Sequence, residues 1–225
     1  MRVGIIGSGS VGQTLAKGFA AKGHDVVLGT RDPLAALKQE KPSSMGAQPL
    51  GEFAKANPGV RVASFEEAAR HAEVAVLCVH GSNVEEALRR AGPANLAGKL
   101  VLDTTNPIEF TPKGAHKPAS IPDSCIQVAQ RAAPQARFVK AWNMVPGGQM
   151  VDPRFSEGQG DILVCGDDAG AKQEAARLLA SFGWRTADVG GTDMGPYVEG
   201  AALAVINFGA RTNDWGWGIR LVGRR

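Results

Sequence analysis

Two short stretches hold residues whose types and spacing could do chemistry. The first is GSGSVG, Gly7 to Gly12, which fits the pattern G-x-G-x-x-G. Gly7 permits a tight turn, Gly9 lets backbone approach a pyrophosphate with no Cβ in the way, and Gly12 allows close helix–strand packing. The amides of the helix that follows would offer N–H groups and a partial positive charge to phosphates. Ser8, Ser10 and Val11 fill the loop between the glycines. The second stretch is GTRDP, Gly29 to Pro33. In a dinucleotide fold, the residue at this strand tip contacts the adenosine ribose, and an acid there accepts from the 2′-hydroxyl. Here Thr30 and Arg31 occupy the tip. A guanidinium keeps its proton and presents a planar fork suited to a 2′-phosphate, so the pair predicts NADP over NAD. Asp32 puts a negative charge beside that site, which requires the turn to point it away or Arg31 to pair with it.

Further candidates stand at the ends of apolar runs. VAVLCV leads to Val79 and His80, LVLDTT to Asn106 and Pro107, and RFVKAW to Asn143, Met144 and Val145. His80 is either an acid–base group or a polar strand-end residue touching ribose or phosphate. Asn106 and Asn143 shuttle no protons; they either donate to a carboxamide or carbonyl, or cap turns. Asp103 lies inside a strand and reads as support for the site, Lys140 as a poor candidate for a base because it lies in a strand facing a helix layer or edge, and His116 as a solvated loop residue. No Ser-His-Asp set and no paired carboxylates stand at strand ends. A hydroxy-acid dehydrogenase needs an acid–base group; hydride exchange between two redox cofactors needs mainly alignment.

The elements that must position these residues alternate. Short apolar runs (VGIIG, DVVLG, VRVAS, EVAVLCV, KLVLDTT, ARFVKAW) are separated by amphipathic segments, the first from about residue 12 to 22. The segment from Pro33 to Pro58 reads as one helix near Leu34–Gln39 followed by a polar loop. SNVEEALRRAG carries a capping-box pattern from Ser82 to Glu85. This alternation is the signature of an α/β chain with a doubly wound parallel sheet. That unit is expected to span 1–145. The remainder, 146–225, reads as a small C-terminal α/β domain: DILVCG, a helix, RTADVG, a long apolar helix from about Pro196 to Ala210, and a Trp-bearing tail that packs back.

The totals fit this reading. The chain has 225 residues, 44% hydrophobic and 21% charged, with a net charge of +3. The basic residues form no run, and aromatics make up 6%, so a nucleic-acid surface is not indicated. Cys78, Cys125 and Cys165 have no metal-site spacing, and Cys78 and Cys165 sit in apolar runs as buried thiols. No metal is expected. No stretch reaches about 18 uninterrupted apolar residues, and no leader pattern opens the chain; the expectation is a cytoplasmic protein away from membranes.

Four blocks in order resemble a known family. GSGSVGQTLAKGFAAKGHDVVLGTRDP, GKLVLDTTNP, FVKAWNMV and DILVCGDDAGAKQEAARLL, with the glycine loop inside the first, are similar to NADP oxidoreductases that depend on coenzyme F420, a deazaflavin. They also resemble the oxidoreductase domain of the six-transmembrane ferric reductases. The resemblance implies a Rossmann fold with a small C-terminal domain, a homodimer, and hydride transfer between NADP(H) and a deazaflavin; a flavin or a small molecule could replace the deazaflavin. It implies that Ser8 to Val11 hold pyrophosphate and that Thr30 and Arg31 hold the 2′-phosphate. Val79, His80, Asn106, Pro107 and Ala141 would line the nicotinamide side, and Asn143, Met144, Val145, Pro146 and Asn207 the second cofactor.

Two other readings remain. One is an NADPH-dependent imine or keto reductase of small molecules, which resembles the N-terminal pattern but normally carries a long helical dimerisation domain. The other is an NADP-binding redox sensor without catalysis.

Overall fold

The computed structural model describes residues 1–44 and 46–223. In chain order the elements are β1 (Arg2–Ile6), α1 (Ser10–Ala21), β2 (Asp25–Thr30), α2 (Pro33–Lys38), α3 (Leu50–Ala56), β3 (Val60–Ser64), α4 (Phe65–His71), β4 (Val74–Leu77), α5 (Val84–Ala91) and β5 (Leu100–Asp103). There follow β6 (Glu109–Thr111), β7 (Gly114–His116), α6 (Cys125–Ala132), β8 (Arg137–Lys140), β9 (Asp161–Val164), α7 (Ala169–Ser181), β10 (Arg185–Asp188) and α8 (Gly195–Thr212).

Six strands form one sheet in the order β3-β2-β1-β4-β5-β8. Every pairing in it is parallel. This is the doubly wound order with a switch point between β1 and β4, where ligands sit beyond the strand C-termini. The central strands β4 and β5 are buried at every position, as strands covered on both faces must be. Beyond β8 the chain makes a two-stranded parallel sheet, β10-β9. An antiparallel bridge between Lys140 and Cys165 ties this sheet to the edge of the first. One apolar cluster runs through both, from Val3 and Ile5 to Trp142, Ile162 and Trp184. The tail packs back, as its apolar residues required: the Asp161 amide donates to the Ile219 carbonyl at 2.7 Å.

Several local features differ from the sequence reading. The polar stretch before Pro58 contains α3, whose Phe53 is fully buried; seven residues with two apolar anchors are too short for a helical period to show. The loop after Pro107 holds the hairpin β6–β7. The capping box expected at Ser82 does not form. Val84 opens α5 without a side-chain cap, and the Ser82 hydroxyl lies 2.8 Å from His80 Nδ1 instead. Capping boxes occur at Ser64–Glu67 and Ser124–Gln127.

Candidate functional site: the strand-end row

The glycine loop follows β1 directly. Gly7 has φ +130°, a conformation that favours glycine, and a Cβ there would collide with the Cys78 carbonyl. A Cβ on Gly12 would collide with the Gly7 carbonyl oxygen. The two glycines therefore let α1 and β4 close on the loop, while Gly9 keeps a half-open face. The first helical bond of α1 runs from the Gln13 amide to the Gly9 carbonyl at 2.9 Å. The amides of Ser10, Val11 and Gly12 thus precede any intrahelical acceptor. The first turn of α1 carries no acidic residue to compete with an anion. These donors fit a pyrophosphate. The Ser10 amide donates to Ser44 Oγ at 3.1 Å, so a hydroxyl sits where a phosphate oxygen would be welcome. Gln13 holds that neighbouring loop in place: its Nε2 donates to the Ser8 and Gln48 carbonyls, and its Oε1 accepts from the Gln48 amide at 2.9 Å.

The tip of β2 lies beside this loop, with the Gly7 amide donating to the Gly29 carbonyl at 3.2 Å. Thr30 is 7% exposed and closes the strand; Arg31 beyond it is exposed. Asp32 is explained. It is the N-cap of α2, its side chain accepting from the Ala35 amide at 3.0 Å, with Pro33 at the first helical position. Among the described residues, Arg31 forms no ion pair.

From Gly7 the strand ends continue as a row. The Cys78 amide donates to the Ile6 carbonyl, Thr104 to Leu77, and Ala141 to Asp103. Val79 and His80 thereby stand next to Gly7, Asn106 and Pro107 next to them, and Ala141 and Asn143 after those. His80 uses both ring nitrogens: Nε2 lies 2.8 Å from the Ile108 carbonyl, and Nδ1 faces the Ser82 amide and hydroxyl. The carbonyl accepts only, so Nε2 carries the proton and Nδ1 is the acceptor. His80 also borders a cavity of ≈ 350 Å³ with Ser82, Ile108, Glu109, Phe110, Pro118, Ser120 and Ile121.

Asn106 and Asn143 meet across the row. Asn106 Nδ2 donates to the Asn143 carbonyl at 2.6 Å, and Asn143 Nδ2 donates to Asn106 Oδ1 at 3.0 Å and to the Val198 carbonyl of α8 at 3.3 Å. Asn143 is 4% exposed, and its Oδ1 has no hydrogen-bond partner among the described residues. Trp142 just before it holds φ +59°, a strained value for a bulky residue, with its ring fully buried. Met144, Val145 and Pro146 turn inward and are buried; Met144 and Val145 belong to the main apolar cluster. Asn207 is occupied on the hairpin: Oδ1 accepts from the Ala115 amide at 2.9 Å and Nδ2 donates to its carbonyl at 2.7 Å.

Beneath the row lies a cluster the sequence did not reveal. Lys140 is 0% exposed, and its Nζ lies 2.7 Å from Asp103 Oδ2, from Glu199 Oε1 and from the Thr105 carbonyl. Asp103 Oδ1 accepts from the Thr105 amide and hydroxyl at 2.9 and 2.6 Å. Glu199 Oε1 also accepts from the Cys125 amide at the start of α6, at 2.8 Å, while among the described residues neither Glu199 Oε2 nor Asp103 Oδ2 has a hydrogen-bond partner. Burial pushes the Lys140 pKa down, but the Asp103 and Glu199 carboxylates outweigh it and hold the ammonium above the usual lysine range. Burial pushes the Glu199 carboxyl up, and Lys140 only partly opposes this, because one ammonium serves two carboxylates. Burial also pushes the Cys125 and Cys165 thiols up to about 12 and raises Cys78, so all three are inert, protonated thiols at neutral pH. Asp103 and Lys140 each stand out in the sequence, but strand alternation gives no sign that the two face each other in the interior. Glu199 is distant in sequence, and no spacing rule connects it to them.

Known proteins with this architecture decide the family. A crystal structure of a candidate F420-dependent NADP reductase from Arthrobacter sp. FB24 superposes with TM-score 0.90 at 32% identity, covering 98% of this chain and 99% of that one. The chain belongs to the coenzyme F420-dependent NADP oxidoreductase family. The family model described as "NADP oxidoreductase coenzyme F420-dependent" matches residues 2–107, from β1 to the turn after β5. An F420-dependent NADP reductase of Methanothermobacter thermautotrophicus is 28% identical over 98% of this chain and 94% of its own length. The metalloreductase STEAP3 of Rattus norvegicus is 27% identical over 91% of this chain; the chain spans 37% of the length of that relative. Like the family, this chain is an NADP-dependent oxidoreductase with a Rossmann α/β fold. Among the described residues, no helix is long and apolar enough to cross a membrane.

Proposed function

We propose that the chain passes hydride between NADP(H) and the deazaflavin coenzyme F420, with a flavin as the alternative acceptor. The observation that carries this reading is the chemistry of the strand-end row. Its ionisable groups are engaged or sealed: His80 uses both ring nitrogens, and Lys140 and Asp103 are fully buried. A row of turns without a free acid–base pair suits ring-to-ring transfer, where alignment does most of the work. In this reading the amides of Ser10 to Gly12, with Ser8 and Gly9, hold the pyrophosphate, and Thr30 and Arg31 hold the 2′-phosphate. Val79, His80, Asn106, Pro107 and Ala141 border the nicotinamide. When bound, NADPH supplies the hydride and the tricyclic ring accepts it.

The reading assigns residues 1–145 to cofactor binding and 146–225 to completing the acceptor cleft, with Asn143 to Pro146 and α8 at the junction. It also assigns the exposed apolar residues Tyr197, Phe208 and Trp215 to contact with a second copy. The test is anaerobic mixing with NADPH and, separately, F420, FMN, a cyclic imine and a keto acid, followed by absorbance. Turnover with the deazaflavin or flavin supports the reading; turnover with the imine or keto acid alone replaces it with a small-molecule reductase. Tight NADPH binding with no turnover leaves a sensor.

A further inference from the structure

We propose that Lys140 is a positioning residue for hydride transfer, fixing the turn Thr104–Asn106 at the nicotinamide side through Thr105; this rests on the reading above. A buried ion cluster is weak evidence for stability, because apolar side chains of similar volume often do as well or better. What this cluster supplies is geometry. The ammonium donates to the Thr105 carbonyl on the turn and makes ion-pair contacts of 2.7 Å with Asp103 Oδ2 on β5 and Glu199 Oε1 on α8. Thr105 is thus gripped at every polar atom: its carbonyl by Lys140, and its amide and hydroxyl by Asp103 Oδ1. The next residue is Asn106, which bonds Asn143, itself three residues beyond Lys140. One lysine therefore sets two neighbouring strand-end turns and the start of α8 in register. The groups facing it include Asp103 on β5, Glu199 on α8 and the protonated thiols of Cys125 on α6 and of Cys165, which is bridged to Lys140. Transfer between stacked rings depends steeply on such placement, and an error of about 1 Å can cost about a hundredfold in rate.

The test is the double variant Lys140→Met with Asp103→Asn. It removes one charge of each sign, so the cluster keeps its net charge, and the amide side chain introduced on β5 retains an oxygen for Thr105. The variant is expected to bind NADPH within about threefold of the parent while single-turnover hydride transfer falls at least about tenfold. The primary isotope effect with 4-deuterated NADPH should be fully expressed. A folded variant that transfers hydride at the parental rate overturns the proposal. If the double variant does not fold, Thr105→Val keeps every charge and removes one grip; transfer should then fall about threefold or more at unchanged NADPH affinity, and a parental rate overturns the proposal. If the parent itself passes no hydride to F420 or FMN, the functional reading fails, and the proposal is decided on the turn. Amide exchange at Thr105 and Asn106 that is about tenfold faster in the variant sustains Lys140 as the positioning group; unchanged exchange overturns it.

Discussion

Asn106 and Asn143 hold each other across the ends of neighbouring strands, through bonds of 2.6 and 3.0 Å that join the turn after β5 to the turn after β8. Each amide serves the other's turn, and Asn143 also reaches α8. The turn after β5, the turn after β8 and helix α8 therefore meet at this pair of side chains, beside the proposed nicotinamide site. Among the described residues Asn143 Oδ1 has no hydrogen-bond partner in a buried setting, an arrangement proteins rarely tolerate without a reason.

Asn106→Ala removes both bonds and leaves the Asn143 amide short of an acceptor. Chemical denaturation should show a loss of about 1–3 kcal/mol. Hydride transfer should slow more than NADPH binding weakens. An equal loss in both would place Asn106 in general packing instead.

Arg31 and Asp32 are adjacent and should behave oppositely. Arg31→Ala should lower the preference for NADPH over NADH by at least about tenfold, equivalent to about 1.4 kcal/mol, with little change in melting temperature. Asp32→Ala removes the N-cap of α2 and should cost about 1 kcal/mol of stability while leaving the cofactor preference within about twofold. A shift in preference from Asp32→Ala would mean that its charge acts on the ligand.

Glu199 gives the protein a pH dependence of known sign. Burial holds its carboxyl above the ordinary value of 4.5 in the folded chain. Between that value and the folded pKa the native state binds more protons than the unfolded one. Stability from this group is therefore greatest at low pH and falls as pH rises through the folded pKa. In Glu199→Gln that slope disappears. The parent should lose ground to the variant in urea denaturation over the interval from the ordinary value of 4.5 up to the folded pKa. A parent that gains relative to the variant over that interval would show that Lys140 dominates Glu199.

His80 is bound at both ring nitrogens, so removing it should loosen a turn without removing a proton carrier. His80→Ala should retain hydride transfer within about tenfold, with a pH–rate profile of unchanged shape. Loss of one limb of the profile would make His80 an acid–base group.

Much of this was legible from sequence where chemistry and local spacing coincide. The glycine-rich turn between β1 and α1 and the alternation of strands and helices that makes a parallel sheet both show in residues close in the chain. Asp32 was not legible, because an acid before proline reads equally as a ligand-facing charge or a helix cap, and only the Ala35 amide decides. The Lys140 cluster was hidden for another reason. Its three members lie on β5, β8 and α8, and only the completed sheet brings them within 2.7 Å. Burial at Asn143 to Pro146 was not legible either: all four are buried, and Met144 and Val145 join the main apolar cluster, which a short turn sequence does not signal.

The most direct test of hydride exchange between two cofactors is label transfer under anaerobic conditions. NADPH deuterated at the transferring position is mixed with oxidised F420 and the enzyme, and the reduced deazaflavin is analysed by mass. Direct transfer predicts one deuterium retained per turnover with none lost to solvent. No label in the deazaflavin, together with turnover of an imine or keto acid under the same conditions, would contradict it.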